Sequence, residues 1–208
     1  GTAVRKVLMP RLVIANAATA APMGAQVYEE QVAARAADAL GELGSDWQVR
    51  RAIFRSMRAP LPGTHRVPMG LLRLAPDLPR AALGRLVYPR RALVHRMGLE
   101  LPPAPHEVVT LHDVAAWQFP DESAPVRSAP AELRRAAAVI CVSQHTAAQA
   151  AEMFGLTNTV VIPNGVDERF LRGAVGDAEL LRRLDVAQPY VLCAGGASGR
   201  KNLPALAE

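Results

Sequence analysis

Three stretches of the chain combine chemically capable side chains with a local pattern that would aim them. Residues 107–113 read EVVTLHD: a short apolar run that delivers His112-Asp113 at its end. An imidazole at the carboxyl end of a buried strand can hold a ligand group or move a proton. The same dipeptide is also found as a plain structural histidine bonded to its neighbour. Residues 188–202 read QPYVLCAGGASGRKN. There, glycines from Gly195 onward let backbone approach an anion, Arg200 and Lys201 neutralise charge, and a following helix start offers unpaired N–H groups. This is not the spacing of a Walker loop. Residues 16–24, NAATAAPMG, form a small-residue loop that ends at Gly24 before a helical pattern, again a phosphate-type arrangement. No G-x-G-x-x-G accompanies it.

Such residues need strand ends and helix starts to hold them. Residues 6–15 (KVLMPRLVIA) read as a first buried strand, with Pro10 weakening its early part. Arg5-Lys6 and the apolar run after it imitate a signal peptide only weakly, and the strand is the preferred reading. Across 25–43, Val27, Val32, Ala36, Leu40 and Leu43 recur at helical spacing. Residues 47–54 suit a second strand. Residues 55–79 hold five prolines and read as a long loop. Residues 81–97 carry leucines and valines among arginines, an amphipathic basic helix that Pro89 should kink or split. After the strand at 107–111, residues 114–130 look loop-like, with Trp117 and Phe119 free to pack or line a site, and 130–137 form a short helix.

The stretch 136–170 then repeats the α/β unit. An apolar run over 136–142 ends at Ser143, which can cap the next helix. A second run over 159–162 ends at Pro163-Asn164-Gly165, where Asn164 and Gly165 can take the positive φ of a sharp turn. Residues 166–176 read as a connector, Asp177 caps a helix over 178–184, and 188–194 reads as a new buried strand. The alternation of strand and helix predicts an α/β fold, a Rossmann-like parallel sheet flanked by helices. Its expected parts are a domain over 1–168, a connector over 169–187, and the first strand and phosphate loop of a truncated second Rossmann-like domain over 188–208.

Composition narrows the function classes. Half of the 208 residues are hydrophobic and only 4% aromatic, so the core must be mostly Ala, Val and Leu. No run reaches 18 uncharged apolar residues, which argues against a membrane-spanning helix. Cys141 and Cys193 sit in apolar runs and read as buried reduced thiols; no Cys/His spacing matches a zinc site. The net charge of +5 is concentrated: residues 50–97 hold eleven arginines and one acid, Asp77. A solvated basic surface, an anionic membrane and a phosphorylated substrate are all compatible with that stretch. Nucleic acid is disfavoured, because no aromatics interleave with the arginines.

Taken in order, His112-Asp113, AAAVICVSQHT, VVIPNGVDERF and YVLCAGGASGRKNL resemble the retaining glycosyltransferases of the GT-B fold, the family 4 group that includes bacterial mannosyl- and glucosyltransferases. The resemblance covers about 95 residues. It implies two facing Rossmann-like domains, an N-terminal one for the acceptor and a C-terminal one for a nucleotide-sugar. It implies that His112 is the catalytic histidine near the transferred sugar and that Gly24, Gly195, Arg200 and Lys201 bind the donor diphosphate. Asp113 and Asn164 are acceptor-side or structural residues in this reading. No cofactor and no metal are implied; the Arg-Lys pair would take the metal's place beside the leaving group. Arg directly after the strand-ending glycine, common in the family, is Gly196 here, which favours the RKN variant of the motif. The Glu-x7-Glu motif of the family's donor domain does not occur after this loop, so the 208 residues alone are expected to be inactive in transfer. The expected setting is cytoplasmic, with peripheral contact to the inner face of a membrane through 50–97. A non-catalytic α/β module that binds a phosphorylated ligand, or an anionic membrane surface, is the alternative.

Overall fold

The computed structural model of the chain describes residues 9–44, 46–171, 178–187, 189–193 and 199–207. Among them, seven strands form one sheet, every pair parallel, in the order β3-β2-β1-β4-β5-β6-β7. The strands are β1 (Arg11–Ala17), β2 (Gln48–Ser56), β3 (His65–Val67), β4 (Ala92–Arg96), β5 (Glu107–Leu111), β6 (Ala138–Cys141) and β7 (Thr159–Val161). The helices are α1 (Gly24–Glu42), α2 (Met69–Leu74), α3 (Asp77–Val87), α4 (Ala115–Gln118), α5 (Ala129–Arg135), α6 (Gln144–Phe154), α7 (Glu168–Leu171), α8 (Ala178–Arg183) and α9 (Leu203–Ala207). This is the expected α/β Rossmann-like fold. Strand order reverses between β1 and β4, the switch point where crevices open at the carboxyl edge of such sheets.

Local chemistry explains most boundaries. Pro10 lacks a donor, and β1 starts just after it. Ser143 is extended and its hydroxyl accepts the Thr146 N–H at 3.0 Å, capping α6. Gly155 closes that helix at φ 65°, a left-handed conformation that glycine adopts without strain. Two expectations fail between 55 and 97. The proline-rich stretch 55–79 is not a loop throughout: it holds β3, α2 and the first turn of α3. Pro68 and Pro76 stand just before helices and Pro79 lies in a first turn, positions whose N–H would be unpaired anyway. Nor is 81–97 one basic helix. It ends at Val87, two residues before Pro89, and the chain re-enters the sheet as β4, where Ala92, Val94 and Arg96 alternate inward.

Beyond β7, residues 189–193 form no strand, and Val191 and Leu192 are 77% and 82% exposed. An extended segment buries itself only with a paired neighbour and a covering layer, and neither stands beside it among the described residues. Cys193 is accordingly exposed rather than buried, whereas Cys141 is buried in β6 as expected. Asn164 and Gly165 do not take positive φ, and the expected sharp turn does not form: residues 162–167 run without regular structure into α7.

The core has two apolar clusters. Val109, Leu111, Val139, Cys141, Ala150 and Phe154 join β5, β6 and α6, and Trp117 packs its ring on Phe154 at 4.9 Å. Val13, Ala15, Phe54, Leu72, Tyr88 and Val94 join β1, β2, β4, α2 and α3. An ionic network is buried with them. Arg80 of α3 donates to Glu132 of α5 at 2.6 Å. Arg96 of β4 reaches Glu107 at 2.9 Å and Glu132 at 3.0 Å. Both arginines are wholly buried. Burial works against the Arg96 charge, but Glu107 and Glu132 more than compensate, so its pKa is raised. Arg80 also donates to the carbonyls of Leu72, Leu99 and Leu101, each at 2.7 Å. Two of the arginines expected on a basic surface therefore tie α3 and α5 to the loop after β4.

Candidate functional site at the carboxyl edge of the sheet

The carboxyl ends of the parallel strands bring together residues that are far apart in sequence. β5 carries His112 at its end, as expected. Its ring is half-buried and meets the edge of Tyr28 from α1, centroids 5.0 Å apart and planes at 89°. The His112 carbonyl accepts from the Thr146 hydroxyl at 3.2 Å, fixing the strand end against α6. Its Nε2 is buried and has no hydrogen-bond partner among the described residues. Burial lowers the His112 pKa below the ordinary imidazole value, and the nearby Asp113 charge offsets this only in part. The ring is therefore neutral near pH 7, with a polar nitrogen left for a ligand. Asp113 makes a local contact. Its Oδ1 accepts the Ala115 N–H at 3.0 Å, two residues on, a side-chain turn just before α4.

Gly24 is the first residue of α1. A Cβ there would meet nothing within 4 Å, so the glycine leaves open space at the loop rather than relieving a clash. It lines a cavity of about 670 Å³ with Tyr28, Asn164, Gly165, Val166 and Phe170. Gly24 and Asn164 are thus brought to one cavity, and His112 reaches its wall through Tyr28. The volume lies within the ~300–1,000 Å³ range of small-molecule sites.

The basic turn sits elsewhere on the same edge. Residues Gly199–Lys201 form a short 3₁₀ turn packed on the loop after α4. The Gly199 N–H donates to Asp121 at 2.6 Å, and Arg200 pairs with Glu122 and is near enough to Asp113 to feel its charge. Arg200 is therefore already neutralised by carboxylates, while Lys201 is exposed. Gly195 lies outside the described residues. Among the described residues no three His, Cys, Asp or Glu side chains gather as metal ligands. No described helix is long and apolar enough to cross a membrane.

A group that sequence reasoning missed stands beside this edge. Glu29 of α1 is 5% exposed. Burial, and after it the Glu100 charge, push its pKa up to about 7, against a smaller opposing effect of Arg51. A signal was present: Glu29 falls in phase with Val32, Ala36 and Leu40, an acid inside an apolar stripe. Near it, Arg51 donates to both carboxylate oxygens of Glu30 and to Asn16 Oδ1 at 3.2 Å.

No curated protein matches the chain. Residues 30–170 match the family model described as Glycosyltransferase Family 4. The matched span takes in β2 through β7, both faces of the buried ionic network, and His112 at its strand end. It covers more than half of the sequence, and the chain belongs to glycosyltransferase family 4.

Proposed function

We propose that the chain is the acceptor-side module of a retaining glycosyltransferase of the GT-B type, one that moves a hexose from a nucleotide-sugar to an acceptor laid along the carboxyl edge. The observation that carries this reading is His112: a half-buried, neutral ring at a strand end of a family 4 fold, with a buried, unpartnered Nε2. Departure of a nucleoside diphosphate leaves positive character at the anomeric carbon. A fixed neutral acceptor beside the sugar stabilises that state without costly reorganisation. Gly24 leaves room for the donor phosphates beside α1, and Gly195, Arg200 and Lys201 belong to a donor loop over 188–208 that follows the connector at 169–187. For Arg200 to neutralise a diphosphate it must exchange Glu122 for the ligand. No metal is required in this reading.

Donor binding needs a second α/β layer facing the edge, so the 208 residues alone do not turn over. UDP- and GDP-hexoses test both statements. A polypeptide carrying both facing domains should transfer sugar with the anomeric configuration retained, read from the product's proton couplings. Inversion, or measurable transfer by the 208-residue chain, contradicts the reading.

The setting we propose is cytoplasmic, with peripheral contact to an anionic membrane through 50–97. Leu71, Leu74, Leu78 and Leu86 on α2 and α3 are each at least 67% exposed, close in sequence to exposed Arg85, Arg90 and Arg91. Binding to anionic liposomes should vanish in high salt and on Arg-to-Ala changes at those three arginines; salt-insensitive binding would argue against it.

A further inference from the structure

We propose that a cavity between α1 and the carboxyl ends of β1 and β2 is a second sugar subsite, which holds an uncharged, hydroxyl-rich ring of the acceptor through Glu29. The proposal rests on the transferase reading of the neighbouring edge. The cavity holds about 400 Å³, within the usual ~300–1,000 Å³ range for small ligands. Glu29 lines it and is 5% exposed. No hydrogen bond to its carboxyl forms among the described residues, and its oxygens are not among the fully enclosed unpartnered atoms, so they stay open to a ligand in the cavity.

The charges around Glu29 select the ligand. Glu30 is beside it on α1, Arg51 faces it from β2, and Glu100 faces it from the loop after β4. Arg51 is consumed by Glu30 and Asn16, so it offers no free cation to a phosphate. Glu100 repels an anion and favours the protonated form of Glu29. Protonated, the carboxyl both donates and accepts, and ionised it still accepts; either form matches a sugar hydroxyl. Around it Ala17, Pro22, Ile53, Leu61 and Pro62 supply apolar wall for the C–H faces of a ring. Val27 and Gln31 line this cavity and the one beside Tyr28. α1 therefore separates two compartments that one extended acceptor can span, its reacting end toward His112 and its far ring at Glu29.

Saturation-transfer NMR on the 208-residue chain tests this with methyl α-D-glucopyranoside and methyl α-D-mannopyranoside as neutral rings, glucosamine as the cation and glucose 6-phosphate as the anion. The neutral hexosides should bind and the phosphate should not. Glu29→Ala should weaken hexoside binding by about tenfold or more, and Glu29→Gln, which keeps a donor and an acceptor, by no more than about threefold. In the wild-type chain the ¹³C-labelled Glu29 carboxyl resonance should move as hexoside saturates, a readout that does not depend on any variant folding. Preference for glucosamine, an unmoved Glu29 resonance, or equal hexoside binding by Glu29→Ala would each overturn the proposal. Glu29-dependent hexoside binding without nucleotide-sugar turnover by the two-domain polypeptide would leave the subsite standing and sink the transferase reading. Turnover with no hexoside binding would do the reverse.

Discussion

A carboxyl group that keeps its proton to about pH 7 destabilises the fold that buries it. Below its ordinary pKa of 4.5, Glu29 is protonated folded and unfolded, and costs nothing. Above that value the unfolded chain releases the proton while the folded one retains it. Stability therefore falls between pH 4.5 and about 7 and stays lower beyond. A shift of this size corresponds to about 3 kcal/mol, and solvent screening at the cavity brings the full effect to on the order of 2 kcal/mol. Glu29→Gln should flatten this slope and raise the urea midpoint at pH 8. A variant as pH-dependent as the wild type over that window would show the carboxyl to be ordinary. Glu30, lowered by its hydrogen bond to Arg51, acts in the opposite sense and only at lower pH. Glu132 carries a different kind of burden. Its carboxylate neutralises both Arg80 and Arg96 and accepts from the Ser128 hydroxyl at 2.7 Å. Glu132→Ala leaves two buried guanidinium groups short of a partner and should cost ~3–5 kcal/mol in denaturant unfolding. Gly24→Ala should leave stability within ~0.5 kcal/mol, since open space surrounds the added methyl, and should weaken only ligand binding.

At the scale of elements, strands were legible where a short apolar run stood between breakers. β5 and β7 lie within a residue of expectation, and the Ser143 cap of α6 was readable from one hydroxyl at a strand end. Ser143→Ala should cost ~1 kcal/mol, and a change below ~0.3 kcal/mol would mean that the Thr146 bond contributes nothing. The stretch 81–97 was misread because ALVHR has the same residue types as the helix before it. Only the alternating burial of β4, set by tertiary neighbours, separates them. Glycine meanings were also hidden. Gly84 looks like an ordinary mid-helix residue, yet a Cβ there would stand 1.8 Å from the Pro103 carbonyl oxygen. α3 and the loop after β4 meet backbone to backbone at that point. Gly84→Ala should destabilise by roughly 1–3 kcal/mol through forced separation of the two.

At the scale of the molecule, pattern reading supplied the parallel α/β architecture and the strand-end place of His112, because both follow from local periodicity. The sheet order, the switch point between β1 and β4 and the juxtaposition of Gly24 with Asn164 depend on chain crossovers that local pattern does not encode. The same holds for Glu29: its phase in the helix was visible, but not the Glu100 charge that the loop after β4 brings near it. The central claim is that this edge performs sugar transfer with His112 beside the reacting sugar. Steady-state transfer by a two-domain polypeptide, wild type against His112→Ala, tests it most directly. The account predicts a fall in kcat of on the order of 10²-fold or more, with little change in KM for the nucleotide-sugar. An unchanged kcat would contradict it.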